Sequence, residues 1–204
     1  VHSNVSISTI QKVGLGWRVD WNRKTNIYDE VLLTTPAHAL NKLPLDESLQ
    51  KALQPLLAID YSPVSVLTVA FKRSDVAHPL DGFGVLVPEY EGRKILGVLF
   101  PATLFVNRAP PGEVLLTVFV GGERQAELAV PDKDTLLATV LPELNELFGT
   151  TGEPTFSHHR HWPRAIPQDN LGYGKMLEQM NAIEKKFVGL KLAGNYRDGI
   201  SLSY

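Results

Sequence analysis

The sequence predicts an α+β fold, a mainly antiparallel mixed sheet with packed helices, joined to a few strands of α/β type. Three observations lead there. Four short apolar runs, residues 65–71, 84–87, 95–100 and 114–120, are each bounded by Gly, Pro or charged residues, as successive strands are. Two longer stretches, 134–148 and 172–187, carry apolar residues at helical spacing. Two brief runs, 31–33 and 190–193, read as short buried strands.

The elements follow in order. Val5, Ile7 and Ile10 alternate with polar residues, and beyond Gly14-Leu15-Gly16 so do Trp17, Val19 and Trp21, which predicts an opening hairpin. Residues 26–30 lead into Val31-Leu32-Leu33-Thr34, after which Thr35 offers an N-cap and Pro36 a proline at the first helical position. Leu49, Leu53, Leu56 and Leu57 have helical spacing, with Pro55 placed to end that helix early. The four strand runs come next. In 134–148, Leu136, Leu137, Val140, Leu141, Leu144, Leu147 and Phe148 share one face, Pro142 falls inside, and Gly149 stands at the expected stop. Met176, Leu177, Met180, Ile183 and Phe187 mark the second helix, and the strand after it delivers Gly194.

With 204 residues, 44% hydrophobic and 21% charged, the chain is long enough to bury a full core without disulfides, and it has no Cys for a thiolate metal site. A net charge of −2 and a pI near 6.3 supply no basic field for a nucleic acid backbone, so none is expected as a partner. No apolar run approaches the roughly 20 residues that span a bilayer, and the first residues lack the charged and apolar regions of a signal peptide. A cytoplasmic protein is expected. The sequence starts without Met and stops within a pattern, so it reads as part of a longer chain.

Chemistry is sparse. Ser157-His158-His159-Arg160-His161-Trp162 has imidazoles, but on a strand His159 and His161 share one face while His158 points away, and the segment has no Cys, Asp or Glu to complete a ligand set. No metal site is expected. No Gly-x-Ser-x-Gly elbow occurs, so Ser62 and Ser65 read as turn and sheet residues. A Gly-x-Gly-x-x-Gly fingerprint between strand and helix is also lacking in these residues. Gly82 and Gly84 read equally well as turn residues or as points of close ligand approach. Gly194, at the carboxyl end of a short strand, is either part of a cofactor edge or a plain loop residue.

Several phrases together are more specific. They are Leu80-Asp81-Gly82-Phe83-Gly84-Val85-Leu86-Val87-Pro88, Asn107-Arg108-Ala109-Pro110, Leu116-Thr117-Val118-Phe119-Val120-Gly121-Gly122, Trp162-Pro163-Arg164-Ala165-Ile166-Pro167-Gln168 and Ala193-Gly194-Asn195-Tyr196-Arg197-Asp198-Gly199-Ile200-Ser201. The set resembles the protoporphyrinogen oxidase family, within the superfamily of amine oxidases and phytoene desaturases. The likeness runs through nearly the whole chain. It implies the carboxyl-terminal part of such a flavoenzyme: residues 1–42 as a partial FAD-binding segment, 43–160 as the substrate-binding domain, and 161–204 as the returning FAD-binding segment without the family's final helix.

The resemblance implies oxidation of protoporphyrinogen IX to protoporphyrin IX, with FAD taking the hydrogens and dioxygen or another acceptor reoxidising it. The cofactor supplies the chemistry and the protein the positioning, so no catalytic acid or base is assigned. The family grips one pyrrole between an aliphatic and an aromatic side chain, which by resemblance fall at Leu86 and Phe105, with Phe83 and Gly84 lining the same region. Positions carried over to the FAD are Thr34, Thr35, Pro36, Trp162, Ala165, Ile166, Gly194, Asn195, Gly199, Ile200 and Ser201. Asp169 departs from the Tyr that many relatives carry after the Gln. These 204 residues alone are expected to be inactive, and the parent to associate with a membrane at most peripherally. A coproporphyrinogen oxidase would need a more basic pocket, for which Arg73, Arg108 and Arg124 are the candidates. A non-catalytic tetrapyrrole-binding module is the other alternative. Residues matching the flavin edge argue against it.

Overall fold

A computed structural model describes residues 1–197 and 199. In chain order the strands and helices are β1 Ile7–Val13, β2 Gly16–Trp21, β3 Lys24–Tyr28, β4 Val31–Leu33, α1 Glu47–Leu53, β5 Tyr61–Lys72, β6 Gly84–Leu86, β7 Gly97–Leu99, α2 Pro101–Leu104, β8 Glu113–Gly121, α3 Lys133–Phe148, β9 Phe156–Pro167, α4 Tyr173–Lys186 and β10 Leu190–Leu192. The mixed α and antiparallel β content agrees with the predicted class. The chain divides into two compact units, 1–60 with 167–204, and 61–166.

In the first unit β1, β2 and β3 form an antiparallel meander. The turn between β2 and β3 places Asn22 and Arg23 at φ 46° and 65°, the left-handed pair that a tight hairpin requires. This third strand was not expected, because Lys24-Thr25-Asn26-Ile27-Tyr28 has no apolar alternation. Trp17 is fully buried and donates its indole N–H to the Val188 carbonyl at 3.2 Å, which ties the meander to the turn before β10. β4 and β10 pair in parallel, Val31 with Leu190 and Leu33 with Leu192.

After β4 the chain does not enter an α-helix capped by Thr35. Pro36 itself stands at the N-cap of a 3₁₀ helix, Ala37–Lys42, without a side-chain cap. Asp46 caps α1 by accepting from the Leu49 N–H at 3.0 Å, and Pro55 hands that helix over to a 3₁₀ turn, Gln54–Ala58. The unit boundaries lie at Asp60 and Pro167 rather than after residues 42 and 160. The physical reason is that residues 43–60 pack locally: Ile10 donates to the Pro44 carbonyl at 2.8 Å, and Leu45, Leu49, Leu53 and Leu56 are buried.

In the second unit five strands lie in the order β6, β7, β8, β5, β9. β5 and β8 run antiparallel in unbroken register from Val64 opposite Gly121 to Lys72 opposite Glu113. One face of the sheet supplies Leu67, Val69, Phe71, Val98, Leu116, Val118 and Val120, which pack with Leu136, Val140, Leu144 and Phe148 of α3 as a single core. α3 starts at Asp132, whose carboxylate accepts from Asp134 and Thr135, runs through Pro142, and stops at Gly149 in the left-handed region, φ 60°. The other face is left more open and carries the candidate site.

Candidate functional site

Strand register decides which side chains of the second unit share the open face. Reading across the sheet, Leu86 of β6 lies opposite Gly97 of β7, Gly97 opposite Phe119 of β8, and Phe119 opposite Val66 of β5. The next row is Gly84, Leu99, Thr117 and Thr68. Leu86 and Phe119 therefore stand two strands apart, about 10 Å, with a glycine between them. Around this row an open apolar hollow of about 190 Å³ is lined by Val64, Val85, Leu86, Leu96, Gly97, Val98, Leu99, Phe119 and Ile166. That volume is below the roughly 300–1,000 Å³ of a whole ligand site, so the hollow has room for only part of a larger molecule.

Of the expected substrate residues, Leu86 lines this hollow and is 89% exposed. Phe105 does not line it: it follows α2, exposed, with the Arg108 guanidinium 5.3 Å from its ring centre. Phe119 is the aromatic side chain that lines it. The signal was available, since Phe119 alternates with the core residues Val118 and Val120 and shares its face with the polar Thr117. Phe83 is exposed outside the hollow, and its carbonyl accepts from Phe100. Gly84 is required by the backbone. Its φ is +154°, and a Cβ there would run into the Val98 carbonyl oxygen of the paired strand.

Trp162, Ala165 and Ile166 lie on β9 in this same unit. Trp162 and Ile166 are exposed, and Ala165 is half-buried. The histidines of this strand have a structural task. The buried Ser65 hydroxyl donates to the Ala129 carbonyl at 2.5 Å, so His159 Nε2, 2.8 Å away, donates to Ser65 Oγ, with His161 Nδ1 at 3.3 Å. A nucleophilic serine would have to give its proton to the imidazole. Burial, first of all, holds the His159 imidazole below its ordinary value, with the charges of His161 and His158 adding to this.

In the first unit the carboxyl ends of the parallel pair bring Thr34-Thr35-Pro36 beside Gly194-Asn195, the Ala193 N–H donating to the Leu33 carbonyl at 2.9 Å. Below that edge the loop is clamped: Arg197 pairs with Glu184 at 3.1 Å, and Glu184 accepts from the Leu192 N–H at 2.7 Å. Tyr196 is buried, its carbonyl accepting from the Tyr173 hydroxyl. Gly194, at φ +151°, is a glycine because a Cβ would come 2.7 Å from the Tyr196 ring. Gly199 is exposed, with nothing within 4 Å of where its Cβ would stand. The remaining expected cofactor residues, Ile200 and Ser201, lie outside the described residues.

A family model described as flavin containing amine oxidoreductase matches residues 1–200, and the chain belongs to that family. It is 38% identical over 179 residues to the mitochondrial protoporphyrinogen oxidase of Nicotiana tabacum, covering 86% of this chain and 36% of that protein. With protoporphyrinogen oxidase 2 of Arabidopsis thaliana it shares 36% identity over 184 residues, covering 88% of this chain and 36% of the relative. The chain thus spans 36% of the length of both plant relatives. A solved structure from Exiguobacterium sp. 255-15, assigned as a protoporphyrinogen oxidase, superposes with a TM-score of 0.71 at 22% identity over 97% of this chain and 43% of that one. At that identity the likeness shows the fold.

The edge in the first unit fits a flavin dinucleotide. The carboxyl ends of parallel strands are where α/β sheets take ligands. Thr35 Oγ1 is buried without a hydrogen-bond partner among the described residues, a polar atom that a cofactor hydroxyl or phosphate oxygen would satisfy.

Proposed function

We propose that the chain is the part of an FAD-dependent oxidase that seats a reduced tetrapyrrole, and that the full-length protein converts protoporphyrinogen IX to protoporphyrin IX in porphyrin and haem biosynthesis. The observation that carries this reading is the row Leu86, Gly97, Phe119 with its apolar hollow, a slot for one ring of a flat, largely apolar molecule. The identity to two plant protoporphyrinogen oxidases supports it.

FAD, when bound, accepts the hydrogens that leave the macrocycle. Thr35, Gly194, Asn195 and Gly199 are the residues proposed to hold it, largely through backbone groups and the Thr35 hydroxyl. Leu86 and Phe119 grip the ring, and Leu99 and Ile166 continue the apolar wall. Nothing in the reading needs a protein acid or base. The test is Phe119→Ala in the full-length flavoprotein. Losing one wall of the slot is expected to raise KM for protoporphyrinogen IX roughly tenfold with flavin content unchanged, since a buried aromatic contact is worth about 1–2 kcal/mol. An unaltered KM would contradict it.

A further inference from the structure

The apolar floor has a charged margin. β9 is the edge strand, and its two faces differ: Ser157, His159 and His161 are half-buried, whereas His158, Arg160, Trp162 and Arg164 are exposed. His159 and His161 turn to Ser65, on the core side. Ile166 lines the hollow, so alternation sets Arg160, Trp162 and Arg164 on the same open face, with Arg164 two residues from Ile166. The Arg160 guanidinium lies 4.7 Å from the Trp162 ring centre, which holds its stem along the strand. Among the described residues neither Arg160 nor Arg164 pairs with an acid; the ion pairs found there involve Arg18, Arg93, Arg124 and Arg197.

The candidates named from sequence are otherwise engaged. Arg124 meets Glu89 at 3.1 Å, Arg73 donates to the His78 carbonyl at 2.6 Å, and Arg108 stacks on Phe105. Two cations about 13 Å apart along one strand, on the sheet face that carries the apolar slot, match a ligand that is apolar and flat in its body and carries two carboxylates on one edge. We infer that Arg160 and Arg164 are specificity residues that bind the propionate carboxylates of the tetrapyrrole whose ring enters the Leu86–Phe119 slot. This rests on the reading of the chain as part of a tetrapyrrole oxidase.

The experiment compares protoporphyrinogen IX with its dimethyl ester, which keeps the ring and removes both charges, using full-length holoenzyme. Binding of protoporphyrin IX and its dimethyl ester, followed by fluorescence, is read alongside turnover. Wild-type enzyme is expected to favour the free acids. Arg160→Gln and Arg164→Gln each raise KM and Kd for the acid roughly tenfold, as loss of a charge-assisted hydrogen bond does, while the ester values and kcat hold. Arg160→Lys and Arg164→Lys recover part of the loss, because charge returns without the fork. Equal treatment of acid and ester by wild type, or equal effects of the Gln variants on both, would overturn the inference and leave the oxidase reading standing. A wild-type holoenzyme that binds and oxidises neither would overturn both.

Discussion

At Gly84 the backbone holds φ at +154°, and the paired strand fills the place a side chain would take, with Leu99 Cα 2.9 Å away. Gly84→Ala therefore strains the β6–β7 pair whether or not any ligand is present. A loss of about 1–3 kcal/mol is expected, read as a lower denaturation midpoint of the full-length protein. His159 supplies a second residue-level prediction. Its proton is held below the ordinary 6.5 by burial, so below that pH the unfolded chain binds a proton that the folded chain still refuses. Stability contributed by the neutral imidazole is present above 6.5 and lost as pH falls through the window beneath it. Midpoints measured from about pH 7 down to about pH 5 are expected to fall, and His159→Gln to flatten that fall. A variant whose profile runs parallel to wild type would place the proton elsewhere.

At the scale of elements, α3 holds the closed face of the sheet and so fixes which face stays open. Leu144 is fully buried against that face. Leu144→Ala is expected to cost about 2–5 kcal/mol in chemical denaturation, whereas exposed Leu86→Ala, on the other face, alters ligand affinity far more than stability. Sequence made α3 legible because its apolar residues recur at helical spacing up to a Gly stop. The antiparallel runs were legible for a similar reason, each being apolar and bounded by breakers. β3 was not, because its five residues carry no alternation, and its existence depends on the Asn22-Arg23 turn. The slot was only half legible. Leu86 came from a phrase shared with a family, but pairing it with Phe119 needed the register that sets both beside Gly97, and register is a relation between strands distant in sequence. The Arg160 and Arg164 rim needed one more fact, which face of β9 turns to Ser65.

At the scale of the whole molecule, the proposed function assigns the two compact units different tasks. One carries, just past a parallel strand pair, a buried Thr35 hydroxyl without a partner among the described residues, and the other presents a sheet face with an apolar hollow. No helix among the described residues is long and apolar enough to cross a membrane. The central claim is that the complete protein is a flavin-dependent porphyrinogen oxidase, and the most direct measurement is a paired one. The full-length protein and the 204-residue chain are each purified, scanned for bound flavin absorbance, and supplied with protoporphyrinogen IX while protoporphyrin fluorescence is followed. The account predicts flavin and a rising fluorescence with the full-length protein and neither with the chain alone. A full-length protein that carries flavin yet leaves protoporphyrinogen IX unchanged would contradict the substrate, and one that binds no flavin would contradict the oxidase itself.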